Sequence, residues 1–127
     1  MNTPIDEHLK TLGVSLLSEW DVLAFLDRHG TNLVSAEQIA RLLGYDKATV
    51  GAALDAVTST GLVQRSRSSQ GVRLYRLPPI IDSAQNHSFI ELMNIARTRE
   101  GRIQLIRTFQ QRTKHTEIRK RNGLHLA

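Results

Sequence analysis

The stretch AEQIARLLGYDKATVGAALDAVTSTGLVQRSRSSQGVRLYRL, residues 36–77, carries the strongest structural signal in this chain. Its first half contains two segments with apolar residues at helical spacing. In the second of these, Val50, Leu54 and Val57 recur at i, i+4 and i+7, which predicts one buried stripe on a helix. Its second half, LVQRSR and VRLYRL around SSQG, predicts a β-hairpin.

The ends of the two helices are marked by capping residues. Ser35 and Gln38 have the spacing of a capping box at the start of the first helix. Gly44 can adopt the left-handed backbone conformation that ends a helix sharply, and Asp46 can then cap the second helix. The pattern therefore predicts two helices joined by a tight turn.

A helix, a sharp turn, a helix and a hairpin in this order are typical of a winged helix-turn-helix. Ala40 is small where the following helix must cross closely, and Val50 is placed to fill the space between the two helices. The expected fold is mainly α with a small β-hairpin wing and additional N- and C-terminal helices. The apolar residues of the first helix are predicted to face inward: Ile39, Leu42 and Leu43.

The flanking segments also contain helix signals. TPIDE starts a short helix, and SEWDVLAFLDRHG predicts a second one that Ser18 caps, followed by the extended link TNLVS. After Pro78 and Pro79, Ser88 and Glu91 match a capping box, and Gly101 is expected to break or kink the resulting helix. The expected organisation is an arm over 1–17, a winged helix-turn-helix domain over 18–79 and a helical segment over 80–127.

The distribution of charge points to a polyanionic partner. Residues 1–61 hold 4 Lys/Arg and 8 Asp/Glu, a net charge of −4, whereas residues 62–127 hold 13 Lys/Arg and 4 Asp/Glu, a net charge of +9. Such asymmetry suggests that the second half binds a polyanion, although a solvated basic face gives the same pattern. The wing itself has four arginines and no acid between Leu62 and Leu77.

Several classes of protein are disfavoured by composition. The chain has no cysteine, no apolar run near the length of about 18 residues for a membrane span, and no signal-peptide pattern in MNTPIDEHLK. The simplest interpretation is a soluble cytoplasmic protein. No phosphate loop, nucleophile elbow or paired-histidine motif is present, so neither an enzyme nor a cofactor or metal is predicted. The histidines are expected at the surface: His8, His29, His87, His115 and His125.

Residues 15–65, SLLSEWDVLAFLDRHGTNLVSAEQIARLLGYDKATVGAALDAVTSTGLVQR, resemble the DNA-binding lobe of multiple-antibiotic-resistance regulators, the MarR family. The resemblance implies a bacterial homodimer in which the third helix of the lobe enters the major groove and the wing touches the flanking minor groove. By this resemblance the DNA-binding residues are Ser35, Lys47, Ala48, Thr49, Gly51, Ala52, Arg65, Arg67 and Arg73.

The sequence departs from the family in two respects. The segment before SEWDV is shorter than the long first helix usual in the family. The shorter segment is compatible with a dimer that is built differently from the family's. The third helix also offers few groups that read bases, since only Lys47 is of the usual type and Thr49 donates weakly. Specificity would then come from the wing, from DNA shape or from dimer spacing.

The resemblance and the apolar stripes of the terminal helices together predict that these helices dimerise, and the alternative for the last segment is that its stripe packs on the lobe of the same chain. These stripes comprise Ile5, Leu9, Leu12, Phe89, Leu92, Met93, Ile103, Ile106 and Phe109. The same last segment carries nine Lys/Arg between Arg97 and Arg121, which would form either a DNA-contacting face or a solvated one.

Three functions remain open from the sequence. The first is a transcriptional regulator that binds double-stranded DNA, with an unidentified small-molecule effector as a further option. The second is a protein-interaction adaptor, because a winged helix does not fix function. The third is an architectural nucleic-acid binder that is indifferent to sequence.

Overall fold

The computed structural model describes residues 4–30, 32–67 and 70–126, with side chains described up to Arg112. Within these ranges the chain forms six helices and a small three-stranded sheet. The elements in chain order are α1 (Pro4–Leu12), α2 (Leu17–His29), β1 (Val34–Ser35), α3 (Ala36–Leu43), α4 (Lys47–Ser59), β2 (Gln64–Arg65), β3 (Leu74–Arg76), α5 (Ser83–Ala96) and α6 (Arg99–Leu126).

The predicted caps form at both helices of the helix-turn-helix. Ser35 Oγ accepts from the Gln38 backbone N–H at 3.2 Å, and the Ser35 N–H donates to Gln38 Oε1 at 2.9 Å. Asp46 Oδ1 accepts from the Thr49 N–H at 2.7 Å, and this hydrogen bond lowers the pKa of the Asp46 carboxyl. Gly44 has φ +79°, in the left-handed region, so the turn between α3 and α4 is as tight as predicted.

The hairpin is also confirmed, and the sheet gains a third strand. The strands run in the order β1-β3-β2, and both pairings are antiparallel. Val34 and Arg65 both pair with Tyr75, on opposite edges of β3. The segment predicted as a link is thus partly a strand, which ties the start of α3 to the base of the wing.

One hydrophobic core holds all these elements together. Trp20 is fully buried, and its ring lies 5.7 Å from that of Phe89, which brings α2 against α5. Ala40 and Val50 are buried between α3 and α4, as their spacing predicts. The helix α1 packs mainly on α5, and α5 packs on α6, so the terminal segments form a layer against the lobe.

Two predicted caps are wrong. The helix α2 begins at Leu17, and its first turn is closed by Glu19, whose Oε1 accepts from the Ser15 N–H at 2.9 Å. Ser18 therefore lies inside the helix. The helix α5 begins five residues before Ser88 and is capped by Asp82. A matching three-residue spacing was misleading because Ser88 is buried and bonded to His8 Nδ1 at 2.9 Å.

Two further expectations need correction. The break between α5 and α6 falls at Arg97 and Thr98, whereas Gly101 lies in the first turn of α6, where its N–H donates to Thr98 Oγ1 at 3.0 Å. Leu42 was expected to face inward but is 65% exposed, because α3 is only two turns long and buries Ile39 and Ala40 instead. No helix of the described part is both long and apolar enough to cross a membrane.

Candidate nucleic-acid interface

The outer face of α4 is made of small side chains with one cation at its start. Lys47, Ala48 and Ala52 are exposed, and Gly51 between them is half-buried. A Cβ added at Gly51 would meet no atom within 4 Å. Glycine lowers the stability of a helix relative to alanine. No packing constraint among the described residues explains why a glycine stands at position 51.

Two predicted DNA-binding residues already have structural roles. Ser35 is engaged in the capping box of α3. Thr49 is half-buried, its N–H is held by Asp46, and its side chain lines a cleft toward α6. Both residues are half-buried, so neither projects as fully into solvent as Lys47 or Ala52.

The wing lies beside this face of α4. Arg65 Nη1 in β2 is 3.8 Å from Asp55 Oδ1, which lies on α4 and is 73% exposed. Ser66 continues the pairing beyond β2, because its N–H donates to Leu74 O at 2.8 Å and its Oγ accepts from the Leu74 N–H at 2.9 Å. The base of the wing and the outer face of α4 therefore form one continuous surface.

The four wing arginines divide into two pairs. Arg65 faces Asp55, and Arg76 Nε donates to Gln64 Oε1 at 3.0 Å. Arg67 and Arg73 are both exposed, and among the described residues neither is in a salt bridge. This second pair has its charge available for an outside partner.

Two arginines of the basic last segment instead hold α6 within the chain, one against the lobe and one against α1. Arg102 Nη1 lies 2.9 Å from Asp21 Oδ1 on α2. Arg112 Nε lies 2.9 Å from Asp6 Oδ1 on α1, and its Nη1 donates to Val14 O at 2.8 Å. These partners lie more than 80 residues away in sequence, so the basic pattern alone could not reveal them. The basic side chains beyond Arg112 lie outside the described residues.

The carboxylate of Asp21 also binds Tyr45, in the turn before α4. Tyr45 Oη donates to Asp21 Oδ2 at 2.6 Å. Burial of the phenol and then this hydrogen bond raise the pKa of Tyr45 from its ordinary 10.0 to about 12. The phenol is therefore protonated, and able to donate, throughout the neutral pH range.

A cleft of about 850 Å³ opens between the lobe and α6. Its lobe side is formed by Leu16, Leu17 and Ser18 at the start of α2, with Tyr45 and Thr49. Its α6 side is formed by Ile106, Arg107, Phe109, Gln110 and Gln111. The contacts of Arg102 and Arg112 fix α6 just before and just after residues 106–111, which contain its cleft-lining side chains.

The residues predicted to dimerise are mostly buried within the single chain. Six of them pack in its own core: Ile5, Leu9, Leu12, Phe89, Leu92 and Phe109. Met93 and Ile106 are half-buried, and Ile103 is 40% exposed. Of the nine predicted residues, only these last three keep apolar surface exposed on the single chain, and that of Ile106 lines the cleft between the lobe and α6.

The histidines are less uniformly exposed than expected. His8 is half-buried against Ser88, and its ring lies 5.8 Å from that of His87. His29 is half-buried on Phe25, with ring centroids 4.1 Å apart. The described residues contain no group of three His, Asp or Glu side chains that could hold a metal ion. The His115 and His125 side chains lie outside the described residues.

Comparison with known proteins agrees with this architecture. Residues 12–73 match the model of the MarR family. Comparison with curated proteins gives no match.

Three solved structures share the fold. A Staphylococcus aureus MepR mutant, bound to an oligodeoxyribonucleotide, is 16% identical with a TM-score of 0.56, covering 88% of this chain and 86% of that one. A MarR-family regulator from Silicibacter pomeroyi is 20% identical with a TM-score of 0.55, covering 95% and 77%. The homodimeric winged helix-turn-helix domain of Mb0332 from Mycobacterium bovis, a possible ArsR-family regulator, is 22% identical with a TM-score of 0.50, covering 72% and 80%. These likenesses confirm the winged helix-turn-helix fold.

Proposed function

We propose that this winged helix-turn-helix protein, whose residues 12–73 match the MarR family model, regulates transcription by binding duplex DNA through α4 and the wing. The observation that carries the proposal is the continuous surface formed by the outer face of α4 and the base of the wing, joined at Asp55 and Arg65. In this arrangement α4 enters the major groove, and the wing follows the flanking backbone and minor groove. We refer to α4 as the recognition helix from here on.

The small side chains of the recognition helix support a close approach to the groove floor. Ala48, Gly51 and Ala52 add little volume on its exposed side, and the space around Gly51 is open. Lys47 lies at the helix N-terminus, where recognition helices contact base edges. Lys47 is then the main base-reading donor, and Thr49 is a secondary contact at the edge of the face.

The wing would supply much of the affinity. Arg67 and Arg73 are exposed and are not in salt bridges among the described residues, so they can bind phosphate or enter the minor groove. Arg65 lies between Asp55 and this outer pair, where it can hold the wing beside the recognition helix. Displacement of counterions by these arginines makes binding fall steeply with salt.

A homodimer would place two recognition helices on successive major grooves. The Mb0332 domain is homodimeric and the MepR mutant is bound to an oligodeoxyribonucleotide, which favours the same assembly here. We propose that Met93 and Ile103 form the apolar part of the dimer interface, since they remain partly exposed on one chain. A DNA-binding regulator of this type would act in the cytoplasm, at the nucleoid.

Substitution of a small residue on the recognition helix tests this docking. Ala52→Glu adds bulk and negative charge at the centre of the proposed contact, so we expect roughly a hundredfold loss of DNA affinity, equivalent to about 2.7 kcal/mol. Affinity would be measured by fluorescence anisotropy, and stability by urea unfolding. The helix should remain folded because Ala52 is exposed.

The matched control is Ala84→Glu, which makes the same change at an exposed position in the first turn of α5. It should leave DNA affinity within about twofold of the unmodified protein, which corresponds to less than 0.5 kcal/mol. Equal losses for the two variants would indicate a general charge effect and would argue against docking through the recognition helix.

A further inference from the structure

Three side chains from three separate segments meet between the lobe and α6. Asp21 on α2 accepts from Tyr45 through Oδ2 at 2.6 Å and faces Arg102 of α6 through Oδ1 at 2.9 Å. Both carboxylate oxygens of Asp21 are therefore engaged. The site is shielded from solvent, because the Asp21 side chain is only 13% exposed. We call this group the Asp21 relay.

The relay ends directly at the recognition helix. Tyr45 precedes Asp46, whose carboxylate caps the helix by accepting from the Thr49 N–H at 2.7 Å. Because Tyr45 and Asp46 are consecutive, the hydrogen bond from Tyr45 to Asp21 also restrains the residue that caps the recognition helix. The raised pKa of Tyr45, about 12, keeps its hydroxyl a donor to Asp21 under all physiological conditions.

The second arginine contact of α6 provides an internal comparison. Arg112 also pairs with a carboxylate at 2.9 Å, but its partners are Asp6 on α1 and the carbonyl of Val14. Its described contacts therefore hold α6 without touching the helix-turn-helix. Among the described polar contacts of α6, those of Arg102 lead to the start of the recognition helix.

We propose that Asp21, Tyr45 and Arg102 are positioning residues for DNA binding, which fix the start of the recognition helix relative to α6. The proposal rests on the proposed function, because it requires the recognition helix to enter DNA. In a dimer joined through α5 and α6, the position of α6 sets the separation of the two recognition helices. Half-sites about 34 Å apart demand a fixed separation, so loss of the relay should weaken specific binding more than non-specific binding.

The test compares Tyr45→Phe and Arg102→Met with Arg112→Met as the charge-matched control. The expected preferred duplex is a labelled duplex from upstream of the gene that encodes the protein. We expect each relay variant to lower affinity for it by roughly fivefold or more, at the low end of typical coupling between sites. Affinity for a scrambled duplex should change much less in Tyr45→Phe, which keeps every charge. The double variant Tyr45→Phe/Arg102→Met should lose less than the product of the single losses, because both groups act through one carboxylate.

Hydrogen exchange of the full-length protein supplies a readout without DNA. Arg102→Met should speed exchange of the Thr49 and Val50 amides at the start of the recognition helix, whereas Arg112→Met should not. Unchanged exchange in Arg102→Met, or equal changes in the two variants, overturns the relay as a positioning device.

The two proposals fail in distinguishable ways. If the unmodified protein binds neither duplex, the proposed function is wrong and the DNA-binding role of the relay falls with it. If the unmodified protein binds its preferred duplex and both relay variants bind it as tightly as Arg112→Met does, only the positioning role is overturned.

Discussion

Replacing Arg67 and Arg73 together with alanine is expected to weaken binding to every DNA duplex by roughly tenfold at physiological salt. Both arginines are exposed on the wing and are not in salt bridges among the described residues, so their charges are available to phosphate. Each lost phosphate contact also removes about one unit from the slope of log affinity against log salt. The slope, measured by fluorescence anisotropy over a salt series, should therefore become less steep by about 2.

The control for this variant removes two arginines outside the winged segment. Arg97 and Arg99 are exposed at the junction of α5 and α6, and replacing both with alanine makes the same change in net charge. That control should retain most of the affinity and slope. Unchanged affinity after loss of both wing arginines would mean that the wing does not touch DNA.

Lys47→Ala or Thr49→Ala should instead alter which sequences are preferred, since these residues are proposed to face base edges.

Gly101→Ala is expected to be the most destabilising single substitution considered, at roughly 3 kcal/mol in the free energy of unfolding. A Cβ at Gly101 would lie 1.8 Å from the carbonyl oxygen of Ile95 and 2.7 Å from its carbon. These are backbone atoms at the end of α5, so the junction of α5 and α6 must shift as a whole. Urea unfolding followed by circular dichroism measures the change.

Gly51→Ala is the matched control because it makes the same substitution inside another helix. Its Cβ would meet nothing within 4 Å, so the change should stabilise the protein by about 0.5–1 kcal/mol through helix propensity alone. A Gly101→Ala protein within about 0.5 kcal/mol of the unmodified one would show that the junction can relax, contrary to the close approach seen here.

The helix-turn-helix could be predicted from sequence because its determinants are local. Ser35 and Gln38 close a capping box, Asp46 caps the next helix and Gly44 permits the turn, all within a dozen residues. Val50 is buried where the spacing placed it. Each of these signals depends on neighbours in the chain, so tertiary contacts had little opportunity to override them.

The errors occurred where a local pattern competed with a distant contact. Ser88 has the spacing of a cap, yet it is buried on His8, which lies 80 residues earlier. The short strand β1 exists only because Val34 pairs with Tyr75 across the sheet. Periodicity within a segment contains no information about such partners.

The candidate site was predicted in part for the same reason. The exposure of Ala48 and Ala52 follows from the helical period, since they lie opposite the buried Val50, Leu54 and Val57 stripe, whereas Lys47 is exposed because it is the first residue of the helix. The Asp21 relay could not be predicted, because Tyr45 and Arg102 lie 57 residues apart and neither belongs to a motif. Arg102 and Arg112 were counted with a basic face, although both pair with carboxylates within the chain.

The most direct test of sequence-specific DNA binding is anisotropy with a labelled duplex from upstream of the gene that encodes the protein. A scrambled duplex of equal length is measured beside it, each at low and at physiological salt. We expect a preference for the upstream duplex that persists at physiological salt, together with a steep salt dependence for both duplexes. Equal binding that disappears with salt would indicate an architectural binder. An absence of binding at either salt would contradict the DNA-binding account and identify the winged helix as a surface for a protein partner.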